Sequence, residues 1–367
     1  MNWTGKERGA IKRRLLSWYD REKREMPWRE SSDPYRILLS EFMLQQTQVD
    51  TVIPYYDRFI AAFPTLEDLA RADLDDVLKL WEGLGYYSRA RNLHKAASAI
   101  SREHGGAVPE TSEALLSLPG FGPYTTAAVL SIAFEKPYAV LDGNVVRVLA
   151  RIHGIREETN RPAVKAALQV AADELLNHRR AGDHNQAMME LGATLCKPRQ
   201  PACDRCPIRP YCRAHAHGWV EAIPRKPKAK PRPQRFYVAG IIRKGDRYLI
   251  SQRKEQGLLG GLWEFPTLQT ETEIRPDHVS ADLMKAVGLV TDTHQPFRKV
   301  KHVYTHFSAV VYAYVCDWVT GEPSSDEHNR HAWVTIGEIQ NYAYSRIARK
   351  LVDAITLDRD RSRSNSV

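Results

Sequence analysis

Glu41 and Asp142 are the two carboxylates whose surroundings suit them to chemistry. Glu41 sits in PYRILLSEFMLQQTQVDTVI, a segment that Asp33-Pro34 starts well as a helix, with aspartate as N-cap and proline at the first helical position. Ile37 and Leu38 lie one turn before it and Leu44 three residues after, so its carboxyl points toward apolar neighbours. Burial raises a carboxyl's pKa, and one still protonated near neutral pH can act as a general acid. A structural glutamate satisfied by a buried arginine or amide is the other reading. Asp142 closes the string LPGFGPYTTAAVLSIAFEKPYAVLD. Gly120 and Gly122 allow a sharp turn that bares backbone amides, and the helix beginning near Tyr124 adds a partial positive charge, so the turn can seat one backbone phosphate. A helix over 124–134, a turn at 135–137 and an apolar return over 139–141 bring Asp142 back beside that seat. Taken alone, the same residues also fit a plain helix-turn-helix in which Asp142 only caps a helix over 144–152.

Four of the five cysteines fall in one short stretch, as C-x6-C-x2-C-x5-C over Cys196, Cys203, Cys206 and Cys212. In a reducing compartment such crowding favours metal ligation over disulfides. Four thiolates suit tetrahedral zinc or an iron–sulfur cube, and ligand type alone does not separate the two. Three further places carry aromatic, amide or cationic groups suited to nucleic acid. Trp28-Arg29 can stack on and hydrogen-bond a nucleobase or can simply pack. Gln45, Gln46 and Thr47 can read a base edge or form an ordinary polar face. WEGLGYYSRAR, residues 81–91, sets Tyr86 and Tyr87 after two glycines, a loop suited to wedging into a base stack with Arg89 and Arg91 free for phosphates.

The elements that must position these residues fall into two domains. The chain of 367 residues is long enough for two full cores, and 53 Lys plus Arg against 44 Asp plus Glu favour a polyanionic partner. The N-terminus carries Lys6, Arg8, Lys12, Arg13 and Arg14 where a secretory signal needs its apolar core, so a soluble cytoplasmic protein is expected, and a monomer. Residues 1–222 read as helical. Residues 223–235, IPRKPKAKPRPQR, hold four prolines and six basic residues and read as an extended linker. Residues 236–355 turn to strands at 236–243, 247–253, 262–265 and one long alternating run at 301–315, closed by a helix ending near Ile355. Residues 356–367 are charged and serine-rich, and disorder is expected there.

LPGFGPYTTA ahead of Asp142 resembles the helix-hairpin-helix of the endonuclease III superfamily of base-excision DNA glycosylases, and the cysteine spacing matches that superfamily's [4Fe–4S] loop. Lys197, Arg199, Arg205 and Arg209 would then be held against DNA phosphates. GLLGGLWEFP, residues 257–266, resembles the opening of a Nudix fold. The Nudix catalytic box is absent, since Glu271, Glu273, Asp277 and Asp282 are scattered and no glutamates are paired. The fold class expected is therefore an all-α helix-hairpin-helix glycosylase with a four-cysteine iron–sulfur loop, joined to an α+β Nudix-like domain. In this order the features closely resemble the adenine DNA glycosylases, over about residues 1–355.

That resemblance implies a monofunctional enzyme that flips adenine out of duplex DNA opposite 8-oxoguanine or guanine and hydrolyses its glycosidic bond. It makes Glu41 the acid that protonates adenine N7 and Asp142 the stabiliser of the positively charged sugar, with Asn144 beside it. Tyr124 stands where bifunctional glycosylase/lyases carry a Schiff-base lysine, and a phenol cannot form that imine. Trp28, Arg29 and Gln186 fall where the extruded adenine is bound. Gln46 and Tyr86 match positions that probe 8-oxoguanine and wedge the duplex, and Tyr304-Thr305-His306 aligns with the lesion-reading Phe-Ser-His loop, departing from it at the first two positions. The competing readings are a bifunctional lyase for oxidised pyrimidines, a nucleotide-pool hydrolase and a non-catalytic lesion-binding protein.

Overall fold

The computed structural model describes residues 3–225, 231–271 and 278–364. Two compact units emerge, one of residues 1–71 and 92–229, the other of residues 72–91 and 230–367. Among the described residues the helices are α1 (Gly5–Glu22), α2 (Pro34–Leu44), α3 (Val49–Ala62), α4 (Leu66–Arg71), α5 (Leu74–Leu80), α6 (Ser88–Glu103), α7 (Ser112–Leu116), α8 (Pro123–Phe134), α9 (Gly143–His153), α10 (Pro162–Leu175), α11 (Ala181–Thr194), α12 (Arg213–Ala216), α13 (Val279–Val287) and α14 (Arg346–Ser364).

In the first unit α8 is the central helix. It is apolar around its whole circumference and buries an unbroken run from Thr125 to Ser131, as a helix must when neighbours cover every face. It packs against α2, α7 and α11. Twelve residues, Pro123 to Phe134, carry the chain roughly 18 Å before it turns back. Glu135, in the left-handed region, ends the helix. Asn185 then pins the return: its side-chain carbonyl accepts from the Val140 amide at 3.1 Å, and its Nδ2 donates to Ser131 Oγ and to the Tyr138 carbonyl. Asp142 arrives as the N-cap of α9, accepting from the Val145 amide at 2.7 Å.

The helix expected to run on from Pro34 through Gln45-Gln46-Thr47 instead ends at Leu44. Gln46 takes a left-handed φ of 58°, and α3 starts afresh at Val49. Gln45 contributes to the break by donating to Thr125 Oγ1 at 3.2 Å.

In the second unit seven strands form one mixed sheet: β1 (Gln234–Lys244), β2 (Arg247–Arg253), β3 (Trp263–Glu264), β4 (Thr267–Thr270), β5 (Val290–Val303), β6 (Ser308–Thr320) and β7 (His328–Thr335). The path is β3-β2-β1-β6-β5, with β4 on β1 and β7 on β2; β1 and β6 are parallel and the other pairs antiparallel. Alternation sends Ala239 and Ile241 to the face covered by α14, and Val238 and Ile242 to the face covered by α13. Cys316, the fifth cysteine, is a fully buried member of the second face.

Three expectations need correction here. The run 301–315 is not one strand: β5 ends at Val303, the polar Tyr304-Thr305-His306 makes a hairpin loop, and β6 begins at Ser308. Its alternation of residue types continues across the loop, so the pattern hid the turn. Residues 72–91 belong with the second unit rather than with 1–222. Their polar groups are satisfied there: Lys79 Nζ donates to the carbonyls of Gln340 and Tyr342, Tyr87 Oη to that of Tyr344, and Arg349 grips Glu82 with two bonds. The disordered tail expected over 356–367 is helical through Ser364, because a helix already anchored by buried Leu351, Val352 and Ile355 extends at little cost. Residues 365–367, the linker residues 226–230, and Glu273 and Asp277 lie outside the described residues. The described linker ends are ordered: Ile223 is buried beside Ala150 and Ala214, Arg225 bridges to Glu158, and β1 already includes Gln234 and Arg235.

Candidate active site

A cavity of about 620 Å³ in the first unit gathers residues from five helices and the turn at Pro27–Arg29. Trp28, Arg29, Glu41, Tyr124, Asp142, Asn144 and Gln186 all line it. Gln46 is exposed and does not; nor do Gly120 and Gly122.

Glu41 is only 4% exposed. Burial pushes its pKa up to about 7; the Tyr124 hydroxyl, donating to Oε2 at 2.7 Å, and the Arg29 charge pull the other way, while Asp142 adds to the rise. With Oε2 occupied by Tyr124, the acid proton belongs on Oε1. Asp142 is half-buried and its pKa is also raised by burial, against the pull of the Val145 amide, Asn144 and Arg147. Its Oδ1 accepts from Val145 and its Oδ2 from Asn144 Nδ2 at 2.9 Å. The cap reading and the chemical reading of Asp142 thus describe different oxygens of one side chain.

Arg147 holds this arrangement in place. One guanidinium nitrogen donates to Asn144 Oδ1 and the Gly192 carbonyl, each at 2.8 Å, and Nε donates to the Cys196 carbonyl at 2.7 Å. Gly192 makes the approach of α11 to α9 feasible, since a Cβ there would stand 2.6 Å from Asn144 Cβ. Gly192→Ala is expected to destabilise the protein by ~1–3 kcal/mol through overpacking and to displace Asn144, so the melting temperature should fall. Neither Arg147 nor Gly192 was picked out from the sequence; the one legible hint is that both flank motif residues.

On the opposite wall Arg29 donates Nε to Gln186 Oε1 at 3.1 Å, which leaves the Gln186 amide group as a donor. Trp28 is buried edge-on against Tyr56. This wall therefore presents a flat aromatic and several N–H donors, a surface able to receive a heteroaromatic ring with acceptor nitrogens.

Gly120 takes φ of +81°, and a Cβ there would stand 2.7 Å from Asn92 Cβ and 2.8 Å from Phe42, so only glycine fits. Gly122 is the N-cap of α8 and has open space around its Cα, leaving the backbone at the helix start approachable.

The cysteines line one small cavity together with Val148, Leu195 and Ile208. Burial pushes Cys206 up to about 12 and raises Cys203 and Cys212, and the neighbouring thiols add to each rise. Arg151 donates to Cys196 Sγ at 3.3 Å. Among the described residues no three His, Cys, Asp or Glu side chains close around the position of a single metal ion. Lys197, Arg199, Arg205 and Arg209 are all exposed.

In the second unit Tyr86, Tyr304, Thr305 and His306 line a cleft of about 450 Å³. Tyr86, exposed and at a left-handed φ of 49°, meets Thr305 Oγ1 through its hydroxyl at 3.2 Å. Tyr304 stacks on Phe307 at 4.9 Å. Arg89 and Arg91 are not free for phosphates as expected: both are buried, Arg89 bonding the Gly85 carbonyl beneath Trp81 and Tyr86, Arg91 the Gly260 carbonyl at 2.6 Å. Two inward-turned carbonyls, one from Gly85 in this loop and one from Gly260 elsewhere in the unit, are satisfied by these arginines.

Residues 39–173 match the HhH-GPD superfamily of base excision DNA repair proteins, and residues 237–354 match the NUDIX domain. The chain is 37% identical to the adenine DNA glycosylase of Rattus norvegicus over 93% of its own length and 77% of the relative's. It is 34% identical to that of Homo sapiens over 93% and 73%. A solved thermostable thymine-DNA glycosylase, 32% identical, is covered over its full length by 59% of this chain with a TM-score of 0.54.

Proposed function

Because the chain belongs to the adenine DNA glycosylases of the helix-hairpin-helix base-excision repair superfamily, we propose that Glu41 and Asp142 carry its adenine-releasing reaction on duplex DNA opposite 8-oxoguanine or guanine. The observation that carries the reading is a buried carboxyl, its pKa raised by burial to about 7, lining one cavity together with a second carboxylate.

The chemistry follows the two-carboxyl logic of glycoside hydrolysis. Adenine leaves poorly as an anion. Glu41 Oε1 gives its proton to N7, the bond from the sugar C1′ to N9 breaks with its electron pair going to the base, and neutral adenine departs. The Asp142 carboxylate, fixed by Val145 and Asn144, counters the positive charge left on the sugar, and water completes the hydrolysis to an abasic site. Such chemistry needs the base outside the stack, and Trp28, Arg29 and Gln186 form its receiving wall. Tyr124 supplies no amine, which supports a monofunctional enzyme. Gly120 and Gly122 would seat a phosphate at the start of α8.

In the second unit we assign lesion reading to Tyr304-Thr305-His306 with Tyr86, and duplex probing to Gln46. Thr305 keeps a hydroxyl and Tyr304 an aromatic ring at that loop. The helix α13 offers no glutamate for a Nudix metal site.

The donor set also supports a [4Fe–4S] cluster held by Cys196, Cys203, Cys206 and Cys212. Four thiols lining one small apolar cavity can each give a thiolate to one iron of a polynuclear centre. When bound it would brace the loop that carries Lys197, Arg199, Arg205 and Arg209 toward DNA phosphates. A broad brown absorbance with iron and sulfide in the purified protein is expected; stoichiometric zinc would refute this assignment.

Single-turnover base release tests the whole reading. Adenine should be lost fast opposite 8-oxoguanine, more slowly opposite guanine, and least opposite thymine. Equal rates on the three duplexes would remove the lesion-reading role, and tight binding without release would leave only a lesion-binding protein.

A further inference from the structure

Behind the base-receiving wall lies a charge cluster that the reaction as described does not use. Glu190, on α11, is 2% exposed. Arg24 grips it with Nε on Oε1 at 2.6 Å and Nη2 on Oε2 at 3.1 Å, and Arg29 adds Nη2 on Oε2 at 2.9 Å. Both carboxylate oxygens are filled by guanidinium donors. Burial pushes the Glu190 carboxyl up, but the two arginines outweigh burial and hold it below the usual carboxylate range. Arg29 is thereby fixed at three points: Glu190, the Arg24 carbonyl and Gln186.

We propose that Glu190 is a positioning residue that clamps Arg29 against the base-receiving wall and balances the positive charge beside Glu41. The inference rests on the adenine-release reading of the cavity. Its physical basis is twofold. A buried carboxylate between two arginines cannot be replaced by an amide without setting N–H donors against N–H donors, so the clamp loosens even when shape is kept. And two guanidinium groups left without their counter-charge stabilise the ionised form of a nearby acid. Arg29, Tyr124 and Asp142 act directly on Glu41. Asp50, Arg147 and Lys197 line the same cavity and are unchanged by the substitution.

The test is the pH dependence of single-turnover adenine release for the full-length protein, Glu190→Gln and Glu190→Asp, with duplex affinity and melting temperature measured alongside. Glu190→Gln should lower the saturating rate by ~10²-fold, as misplacing a positioning group does, while duplex affinity stays within a few-fold. Its high-pH limb should also move to lower pH, because the acid now ionises earlier. Glu190→Asp restores the charge, so its limb should stay at the wild-type position with an intermediate rate. A limb that does not move in Glu190→Gln, or a rate loss no greater than its unfolded fraction, overturns the proposal.

Should Glu190→Gln fail to fold, Arg24→Gln removes a cation from the same cluster and the limb must move the opposite way; an unmoved limb is again fatal. The Glu41 carboxyl can also be titrated directly by infrared difference against Glu41→Gln. That measurement needs no substrate. It separates a wrong role for Glu190 from a wrong substrate, since the carboxyl shift between wild type and Glu190→Gln is expected whichever base is released.

Discussion

Replacing Glu41 with glutamine is expected to slow adenine release by ~10²–10⁴-fold, the range that a positioned proton donor contributes. Glutamine keeps the shape and can still accept from the Tyr124 hydroxyl, so duplex binding should hold while the chemical step fails. The pH profile of the wild type carries the same signature. The acid must be protonated, and its pKa is about 7, so the rate should fall as pH rises through that value. On the low side Asp142 must be ionised, and because burial raises its pKa above the ordinary carboxylate value, the acidic limb begins earlier than for an exposed aspartate. Single-turnover rates across pH check both limbs.

The same substitution should stabilise the fold at alkaline pH. Glu41 has a higher pKa folded than unfolded, so the folded state holds its proton more tightly, and the penalty for ionising it appears as pH rises from the ordinary carboxylate value through about 7. Above that range the cost approaches ~3 kcal/mol, which the neutral amide avoids. Glu41→Gln should therefore melt higher than wild type at pH 8 and close to it at pH 4; equal melting at both would mean that the carboxyl is not desolvated.

Asp142→Asn is expected to cost ~10²–10³-fold in base release, with little loss of stability. The two effects separate because Asp142 has two jobs. As N-cap it accepts from the Val145 amide, and asparagine caps about as well. As an anion it opposes the positive sugar, and an amide cannot. Melting near wild type with a large rate loss is the expected outcome. A matching fall in both would show that capping, not charge, accounts for the residue. Alanine at the same position should lose both functions at once, adding a cap penalty of ~1 kcal/mol.

Much of this site could be read before any fold was known. Glu41 among Ile37, Leu38 and Leu44, the Gly-x-Gly turn before α8, and four cysteines at fixed spacing are all local patterns. A helix converts spacing along the chain into a face in space, so an acid on an apolar face is buried wherever the helix goes. The return that brings Asp142 back is likewise short enough to be implied by its own residues.

Glu190 was not legible. Within NQAMMELGA it is one more polar helix residue, and its meaning lies in Arg24, 166 positions away. Arg89 and Arg91 look available until the carbonyls of Gly85 and Gly260 take them. Residues 72–91 read as part of a helical domain, yet Glu82 finds its partner in Arg349, 267 positions on. The hairpin at Tyr304–Phe307 was hidden because period-two alternation continues across a turn. Residue type and spacing determined which groups could act as acid, anion, ligand or wedge, since those depend on covalent chemistry and helix period. Which of them are free to act was settled by packing, because a buried donor or carboxylate must be paired and its partner is chosen by proximity in space rather than along the chain.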